Sequence, residues 1–286
     1  MSTRPLDDDW RGWLQLNRDR GCDRSVLFEK AAAHGFDREA IALELGGWQA
    51  VAQPPPDACA AGPLAQVGDG LWQRLAQAPL TRPDISPRSW RLDTPLAQVY
   101  EIPELLSREE CAAVMGAIDQ SLMPSTVTRG PSDYRTSRTC HLGSSAPELA
   151  RELDRRFAAL IGVDPAFSEP IQGQRYDPGQ YFKAHTDWFA PGTAEYADHT
   201  NPGGQRTWTL MVYLNAVEHG GQTVFGRIGR AFTPIPGLAV AWNNLLPDGS
   251  PNPHTLHEAL PVLAGRKYVI TKWFRAETGR LACDQP

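Results

Sequence analysis

The spacing of hydrophobic residues along this chain changes near residue 168. Up to that point apolar residues recur every three or four positions, which is typical of helices with one buried face. Beyond it, apolar runs of strand length alternate with turns that contain Gly, Pro and Asn. Helices followed by many short strands predict an α+β, mainly β protein, in which helices pack against an antiparallel barrel or sandwich.

Two helices are predicted ahead of this change. Ser107 and Glu110 form a capping box, in which each side chain accepts a hydrogen bond from the other residue's backbone N–H, and this box opens the first helix. The second helix begins near Pro147 and ends at Gly162. Their apolar faces carry Cys111, Val114, Met115 and Ile118 in the first helix and Leu149, Leu153, Phe157 and Leu160 in the second.

The remaining chain divides into regions of different composition. The first 50 residues predict short helices, one from Ser25 to Ala33 and another from Asp37 to Gly46. Residues 51–70 are rich in Pro, Gly and Ala, as linkers are. We therefore predict a helical region (1–50), a Pro-rich linker or arm (51–90) and a main domain (91–280). The main strands are predicted at residues 170–176, 206–217, 237–242 and 267–274.

Composition narrows the classes of function. The chain has 286 residues, 41% of them hydrophobic, and a net charge of −5 with a pI near 5.8. An acidic protein has no long-range attraction for nucleic acid or anionic lipid, so a small or peptide-like substrate is favoured. The chain shows neither a long apolar run nor a secretory signal, which predicts a cytoplasmic protein without a membrane partner. Its five cysteines lack CxxC spacing, so they predict neither a disulfide framework nor a thiolate metal site.

A candidate metal site begins at His185 and Asp187. In an extended chain, residues two apart leave the same face, so both side chains could bind one ion. Two histidines and one carboxylate on one face of an octahedron leave positions open, as non-haem iron oxygenases require. The third ligand must come from elsewhere, and the histidines downstream of Asp187 are His199, His219, His254 and His257. Only the last two lie just ahead of a strong strand, and of these His257 is preferred.

Lys267 gives independent support for this chemistry. It opens a strand on which Lys267, Val269, Thr271 and Trp273 share one face. That face is predicted to look into the barrel, where a lysine needs an anionic partner. The distal carboxylate of 2-oxoglutarate would be such a partner. The alternative is a lysine at a strand end whose ammonium group reaches solvent.

Five ordered blocks of sequence between Leu96 and Arg275 resemble the prolyl 4-hydroxylase branch of the iron(II)/2-oxoglutarate oxygenases. The resemblance implies a double-stranded β-helix core, of the jelly-roll or cupin-like type, with supporting helices and an N-terminal helical extension. The blocks are Y-D-P-G-Q-Y-F-K-A-H-T-D (176–187), R-T-W-T-L-M-V-Y-L-N (206–215), G-G-Q-T-V-F (220–225), T-L-H-E-A-L-P-V (255–262) and G-R-K-Y-V-I-T-K-W-F (265–274).

The resemblance also implies roles for individual residues. His185, Asp187 and His257 would bind Fe(II), and Lys267 would pair with the 5-carboxylate of 2-oxoglutarate. No further side-chain acid or base is required. The other implied contacts are Tyr176 and Thr209 as hydrogen-bond donors to 2-oxoglutarate, and Arg135, Ser137, Glu169 and Trp273 as substrate contacts. From charge alone, Arg206, Arg135 or Arg129 could pair with a substrate carboxylate.

Two departures from the family pattern bear on the substrate. The family usually has Ala-Gly after the last histidine, whereas this chain has Glu258-Ala259, and residues 190–205 form an insertion rich in charge, Pro and Gly. A lysine at position 267 resembles the prolyl type, since lysyl hydroxylases and nucleic-acid demethylases generally have arginine there.

We therefore expect a dioxygenase that uses Fe(II), 2-oxoglutarate and O2, with ascorbate as a candidate reductant. The favoured reaction is hydroxylation of an unactivated C–H in a free or carrier-bound proline-like amino acid of secondary metabolism, with release of succinate and CO2. The alternatives are a peptidyl-prolyl 4-hydroxylase and, less favoured, a non-catalytic metal-binding cupin. The N-terminal region is expected to support the barrel or form a homodimer, the alternative being a lid or substrate-carrier contact.

Overall fold

The computed structural model describes residues 4–19, 27–28, 31–32, 34–45, 89–125, 134–201 and 203–277. The chain divides into two compact units, Met1–Ala60 and Ala61–Pro286. The predicted linker falls almost entirely outside the described residues, so its boundaries stay a prediction. No described helix is both long enough and apolar enough to span a bilayer.

The first unit contains two described helices, α1 (Asp8–Asp19) and α2 (Arg38–Glu44). Asp7 caps α1, since its carboxylate accepts a hydrogen bond from the backbone N–H of Trp10 at 2.9 Å. The helix predicted after Asp37 is confirmed as α2, whereas the sequence did not predict α1. The helix predicted from Ser25 lies mostly outside the described residues. The unit's core comprises Leu6, Trp13, Leu14, Leu27, Phe28, Ala31, Phe36, Ile41 and Leu45.

The second unit is built on antiparallel strands. They are β1 (Trp90–Arg91), β2 (Val99–Ile102), β3 (Met123–Pro124), β4 (Arg138–His141), β5 (Gln172–Tyr176), β6 (Phe182–His185), β7 (Arg206–Tyr213), β8 (His219–Gly220), β9 (Thr223–Phe225), β10 (Arg230–Phe232), β11 (Ala239–Asn243), β12 (His257–Ala259), β13 (Val262–Ala264) and β14 (Lys267–Arg275). A sheet of eight strands has the order β1-β2-β11-β7-β14-β5-β4-β3, a sheet of four has the order β10-β9-β12-β6, and β13 pairs with β8.

The eight-stranded sheet is covered on both faces, because alternate side chains of a strand point to opposite sides. On β7, Trp208 and Leu210 belong to the cluster that includes the helices, whereas Met211 and Tyr213 pack towards the four-stranded sheet. The four-stranded sheet contributes Phe225 and other apolar residues to that second cluster. Two facing sheets with helices on the outer face confirm the predicted mainly β, double-stranded β-helix fold.

The helices of this unit are α3 (Arg108–Asp119), α4 (Leu142–Ser145), α5 (Pro147–Ile161) and α6 (Ala194–Thr200), together with 3-10 turns at Pro165–Phe167, Gly226–Ile228 and Pro253–Thr255. The capping box between Ser107 and Glu110 is present, and α5 begins and ends where the sequence predicted. Gly173 on β5 allows close approach of α3, because a Cβ there would lie 2.5 Å from Cγ1 of Ile118.

Some predicted strand boundaries were wrong. The strand predicted at 206–217 ends at Tyr213, because the side chain of Asn215 instead accepts from the N–H of Tyr268 at 2.8 Å and donates to the carbonyl of Arg266 at 2.7 Å. The strand predicted from Gly237 begins at Ala239, since Gly237 has a φ of 79°. The strand predicted from residue 170 begins at Gln172.

Candidate metal centre

The predicted ligands come together at one end of the four-stranded sheet. His185 on β6 and His257 on β12 are directly paired across the two antiparallel strands. Asp187 lies in the bend that follows β6, and its Oδ1 is 3.9 Å from Nε2 of His185. Ligand atoms of all three residues lie within 4.8 Å of one another. The group could therefore hold one metal ion.

Both imidazoles present the same nitrogen to the centre. Nδ1 of His185 lies 2.8 Å from the carbonyl of Lys183, and Nδ1 of His257 lies 2.9 Å from the carbonyl of Thr255. A carbonyl oxygen can only accept, so Nδ1 carries a hydrogen in both rings and Nε2 is the nitrogen left for a metal. Burial, followed by the neighbouring His257, lowers the pKa of His185 from 6.5 to about 3. Its ring is therefore neutral at physiological pH, as coordination requires.

Asp187 is buried, with 5% of its surface exposed. Burial alone would raise the pKa of its carboxyl group, but His257, His185 and the hydrogen bond from Thr209 outweigh burial and lower it. The hydroxyl of Thr209 donates to Oδ2 of Asp187 at 2.7 Å. The contact of Thr209 with 2-oxoglutarate stays a prediction. In the structure, this hydroxyl is hydrogen-bonded to a predicted ligand of the metal.

Lys267 lies at the inner end of the site. Its side chain is 1% exposed, and its ammonium group lies 3.4 Å from Oγ1 of Thr223 and over the rings of Tyr176 and Tyr213, at 5.1 and 5.4 Å. No carboxylate among the described residues forms an ion pair with it. Burial lowers the pKa of Lys267 from 10.5 to about 7. A buried ammonium group in this state is a site for an anion.

Two cavities meet at the metal ligands. The inner cavity contains about 390 Å³ of empty space, including space open to solvent, and is lined by Lys267, Tyr176 and Thr223, among others. The outer cavity encloses about 1520 Å³, including space open to solvent. The residues that line both cavities are Phe182, His185, Asp187 and Trp273. The metal site thus lies at the neck between an inner pocket that ends in a cation and an outer pocket that opens to solvent.

Arg135 lines the outer cavity, and Ser137 lies behind it. The guanidinium group of Arg135 donates to Oγ of Ser137 at 3.0 Å and to Oε1 of Gln172 at 2.9 Å, and it lies 4.9 Å above the ring of Phe182. That ring stacks in turn on His185, with centroids 3.6 Å apart. Arg135 is 8% exposed and forms no ion pair with a carboxylate within the described part of the chain. It is therefore a second cation that could receive an anion.

Glu169 and Arg206 contact each other. Nε and Nη2 of Arg206 lie 2.6 and 2.8 Å from the two carboxylate oxygens, and Nε of Arg275 lies 2.7 Å from Oε1. Burial would raise the pKa of Glu169, but Arg206 and Arg275 outweigh burial and lower it. Arg206 lines the outer cavity, with its guanidinium carbon 4.1 Å from the ring centroid of Trp273. Direct substrate contacts of Glu169 and Arg206 stay predictions.

The insertion at residues 190–205 forms part of the outer wall. It contains α6, whose Glu195 and His199 line the outer cavity. The buried side chain of Gln205 joins the two ends of the insertion. It donates to the carbonyl of Phe189 at 2.7 Å and accepts from the N–H of Phe189 at 2.8 Å. Arg275 donates to the carbonyls of His199 and Gly204. The sequence predicted neither this helix nor these contacts.

The side chains fit the cofactors that the sequence predicted. Two imidazoles and one carboxylate are the donor set of mononuclear non-haem Fe(II) sites with open positions. The ammonium group of Lys267 lies in the inner cavity next to these ligands and has no carboxylate partner among the described residues, so it fits the distal carboxylate of 2-oxoglutarate. Tyr176 also lines that cavity, although its hydroxyl donates to Oε1 of Gln174 at 2.9 Å. The predicted contact of Tyr176 with 2-oxoglutarate stays a prediction.

Sequence reasoning missed several residues of this site. Phe182 separates Arg135 from His185, and Asn244 donates to Oγ1 of Thr209 at 2.9 Å. Asn243 and Asn244 come directly after the apolar run of β11 in the sequence. Two consecutive amide side chains in this position could have indicated a buried hydrogen bond.

Comparisons with known proteins agree with this geometry. Residues 171–275 match the family model of the 2OG-Fe(II) oxygenase superfamily. A probable prolyl 4-hydroxylase 3 from Arabidopsis thaliana is 30% identical over 210 residues, which cover 65% of this chain and 70% of the plant protein. Prolyl 4-hydroxylase subunit alpha-3 of Rattus norvegicus is 32% identical over 199 residues, which cover 66% of this chain but 36% of the rat subunit.

A crystal structure of a viral collagen prolyl hydroxylase from Paramecium bursaria Chlorella virus-1, in complex with 2OG, is 28% identical, with a TM-score of 0.48. The match covers 62% of this chain and 96% of the viral one. The family model, the plant relative and the His-Asp-His geometry lead to one assignment. This chain belongs to the 2OG-Fe(II) oxygenase superfamily and is prolyl hydroxylase-like.

Proposed function

We propose that this protein hydroxylates a prolyl residue of a peptide, with Fe(II), 2-oxoglutarate and O2, and releases succinate and CO2. The observation that carries the proposal is the position of the three metal ligands between the two cavities. One cavity ends in the cation Lys267, and the other opens to solvent. The co-substrate and the substrate would therefore reach the ligands from opposite sides.

The opening and the lining of the outer cavity favour a peptide segment. The cavity is open to solvent, so a segment of a longer chain could enter it. Its walls include the aromatic side chains of Tyr134, Trp188, Phe189 and Trp273. Aromatic and apolar walls with a few polar groups are typical of ligand sites. The names of the relatives, which are prolyl 4-hydroxylases, support the same substrate class.

The protein's own residues bind and orient the reactants. His185, Asp187 and His257 would hold the metal, and a site with two histidines and one carboxylate keeps positions for the reactants. Lys267 would bind the distal carboxylate of the co-substrate and fix its orientation. When bound, iron and 2-oxoglutarate supply the oxidising chemistry that cleaves dioxygen and hydroxylates the C–H bond. Most residues that line the inner cavity are buried, which would limit the access of bulk water to the co-substrate.

Trp273 is suited to contact the substrate. It lines both cavities, and its indole N–H is buried and has no acceptor among the described residues. Its ring is held against Arg206, which Glu169 fixes in turn. A substrate carbonyl next to the metal would supply the missing acceptor.

A free or carrier-bound proline-like amino acid is the second candidate substrate, and Arg135 favours it. This buried guanidinium group lines the outer cavity and forms no ion pair with a described carboxylate. The carboxylate of a free amino acid would supply the partner, whereas an internal prolyl residue, or an amino acid joined to a carrier through its carboxyl group, has none.

A substrate screen tests the proposal and separates the two candidates. The protein is incubated with Fe(II), 2-oxoglutarate and either short proline-containing peptides or free L-amino acids, and succinate and product mass are measured. We expect succinate release together with a peptide heavier by one oxygen atom, and neither product with the His257→Ala variant. Hydroxylation of free proline alone would replace the first candidate by the second. Absence of substrate-dependent succinate with every compound would refute both.

A further inference from the structure

A chain of hydrogen bonds connects the metal site to a buried amide that lines neither cavity. The side chain of Asn244 donates to Oγ1 of Thr209 at 2.9 Å, and Thr209 donates to Oδ2 of Asp187 at 2.7 Å. Asn244 and Thr209 are each 0% exposed. The chain thus runs from the end of β11, through β7, to a predicted metal ligand.

The direction of each hydrogen bond follows from the chemistry of the groups. Oδ2 of Asp187 lies 2.7 Å from the hydroxyl of Thr209, and a carboxylate oxygen accepts, so the single hydroxyl hydrogen of Thr209 must point towards it. The oxygen of Thr209 can then only accept from Asn244. The amide must therefore present its NH2 group to the hydroxyl, and its carbonyl oxygen is left buried without a partner among the described residues.

This arrangement leaves one oxygen of Asp187 for a metal. Oδ2 accepts from Thr209, whereas Oδ1 lies on the side of His185, 3.9 Å from its Nε2. A carboxylate held in this way would bind an ion through a single oxygen, and the coordination position that a second oxygen could take would stay free.

We propose that Asn244 is a positioning residue for the metal: through Thr209 it fixes Asp187 as a ligand that binds through one oxygen. The buried amide holds the hydroxyl in one rotamer, so that the hydroxyl hydrogen is always directed at Oδ2. Groups that orient metal ligands in this way commonly contribute about 10–100-fold to metal affinity. This inference rests on the metal site of the proposed function.

The backbone of Asn244 is held independently of its side chain. Its N–H donates to the carbonyl of Thr207 at 2.7 Å, and its carbonyl accepts from the N–H of Asn252 at 2.8 Å. The Asn244→Ala variant therefore removes the amide but keeps the backbone contacts. The neighbouring Asn243 is a matched control, because it is equally buried but bonds to Gln98 and to the N–H of Leu245 instead.

The experiment measures Co(II) affinity and the visible absorption spectrum of the Co(II)-loaded protein, without co-substrate or O2. We expect Asn244→Ala to raise the Kd for Co(II) about tenfold and to alter the spectrum. Thr209→Val should raise the Kd at least as much, and Thr209→Ser should keep it near wild type. Asn243→Ala should change thermal stability but not the Kd. Circular dichroism of the metal-free proteins verifies that each variant is folded.

The double variant distinguishes positioning from a general loss of stability. If Asn244 acts through Thr209, the Thr209→Val/Asn244→Ala protein should bind Co(II) no more weakly than Thr209→Val alone. An unchanged Kd in Asn244→Ala would overturn the inference. So would additive effects of the two substitutions in the double variant, or a rise in Kd in Asn243→Ala that is as large as the rise in Asn244→Ala. A wild-type protein that binds no metal would instead refute the metal site itself, and this inference with it.

Discussion

Replacing Lys267 by methionine should abolish tight binding of 2-oxoglutarate and at the same time stabilise the ligand-free protein. Methionine keeps most of the apolar stem of lysine and removes its charge. Lys267 is 1% exposed, and its burial lowers the pKa from 10.5 to about 7. The two effects would have a common cause, which is a buried charge that has no carboxylate partner among the described residues and that 2-oxoglutarate would neutralise.

The stability effect can be estimated from the pKa. Each pH unit between the unfolded and folded pKa corresponds to about 1.4 kcal/mol, so this difference destabilises the folded state by up to about 5 kcal/mol. Because the folded pKa is lowered, this cost is fully present below pH 7 and disappears as the pH rises to about 10.5. Lys267→Met removes it, so the metal-free variant should be more stable than wild type at pH 6, as measured by urea unfolding.

The binding effect has the opposite sign. Removing one partner of a buried ion pair typically costs about 3–5 kcal/mol. We therefore expect the Kd for 2-oxoglutarate to rise at least about 100-fold in Lys267→Met. Anaerobic titration of the Fe(II) protein, followed by its weak charge-transfer absorption and by calorimetry, measures this Kd.

Lys272 provides a matched control on the same strand. It is also 1% exposed, but it points to the opposite face, where it donates to Asp154 at 2.7 Å and to the carbonyl of Glu169. Lys272→Met should lower stability by about 1–3 kcal/mol and leave the Kd for 2-oxoglutarate unchanged. The reasoning fails if Lys267→Met binds 2-oxoglutarate as wild type does, or if the metal-free variant is less stable than wild type.

Three further outcomes are expected. The Kd for 2-oxoglutarate should be constant below pH 7 and rise about tenfold per pH unit above it, because Lys267 loses its proton in the ligand-free protein first. Calorimetry at several pH values measures this dependence, which should be absent in Lys267→Met. Glu169→Gln should lower the free energy of unfolding by about 3–5 kcal/mol, because Arg206 and Arg275 lose their anion; equal stability in urea unfolding would contradict this. Gln205→Leu should speed proteolysis within residues 190–204, because Phe189 loses both hydrogen bonds to the side chain of Gln205. An unchanged cleavage rate would show that other contacts keep the insertion in place.

Local patterns in the sequence predicted the parts of the site that depend on strand geometry. The spacing of His185 and Asp187, and the alternation that begins at Lys267, need only the two-residue period of a strand. In the structure, Lys267 and Trp273 line the inner cavity from one strand, as that alternation predicts. The capping box at Ser107 is similarly local.

Contacts between distant residues could not be predicted in the same way. Thr209 bonds to Asp187 and Arg206 to Glu169, pairs that are 22 and 37 positions apart, and each contact depends on rotamers that packing selects. The helix in the insertion is another such case. It is seven residues long and has no buried residues that would give an apolar period to detect.

The central claim is that a co-substrate bound at Lys267 and a prolyl substrate in the outer cavity react at a metal held by His185, Asp187 and His257. The most direct test is the stoichiometry of the reaction, measured as succinate and hydroxylated product in the same sample with Fe(II), 2-oxoglutarate and a proline-containing peptide. The account predicts nearly equal amounts of both, and neither in His257→Ala. Metal binding without any substrate-dependent succinate, across peptides and free amino acids, would contradict it.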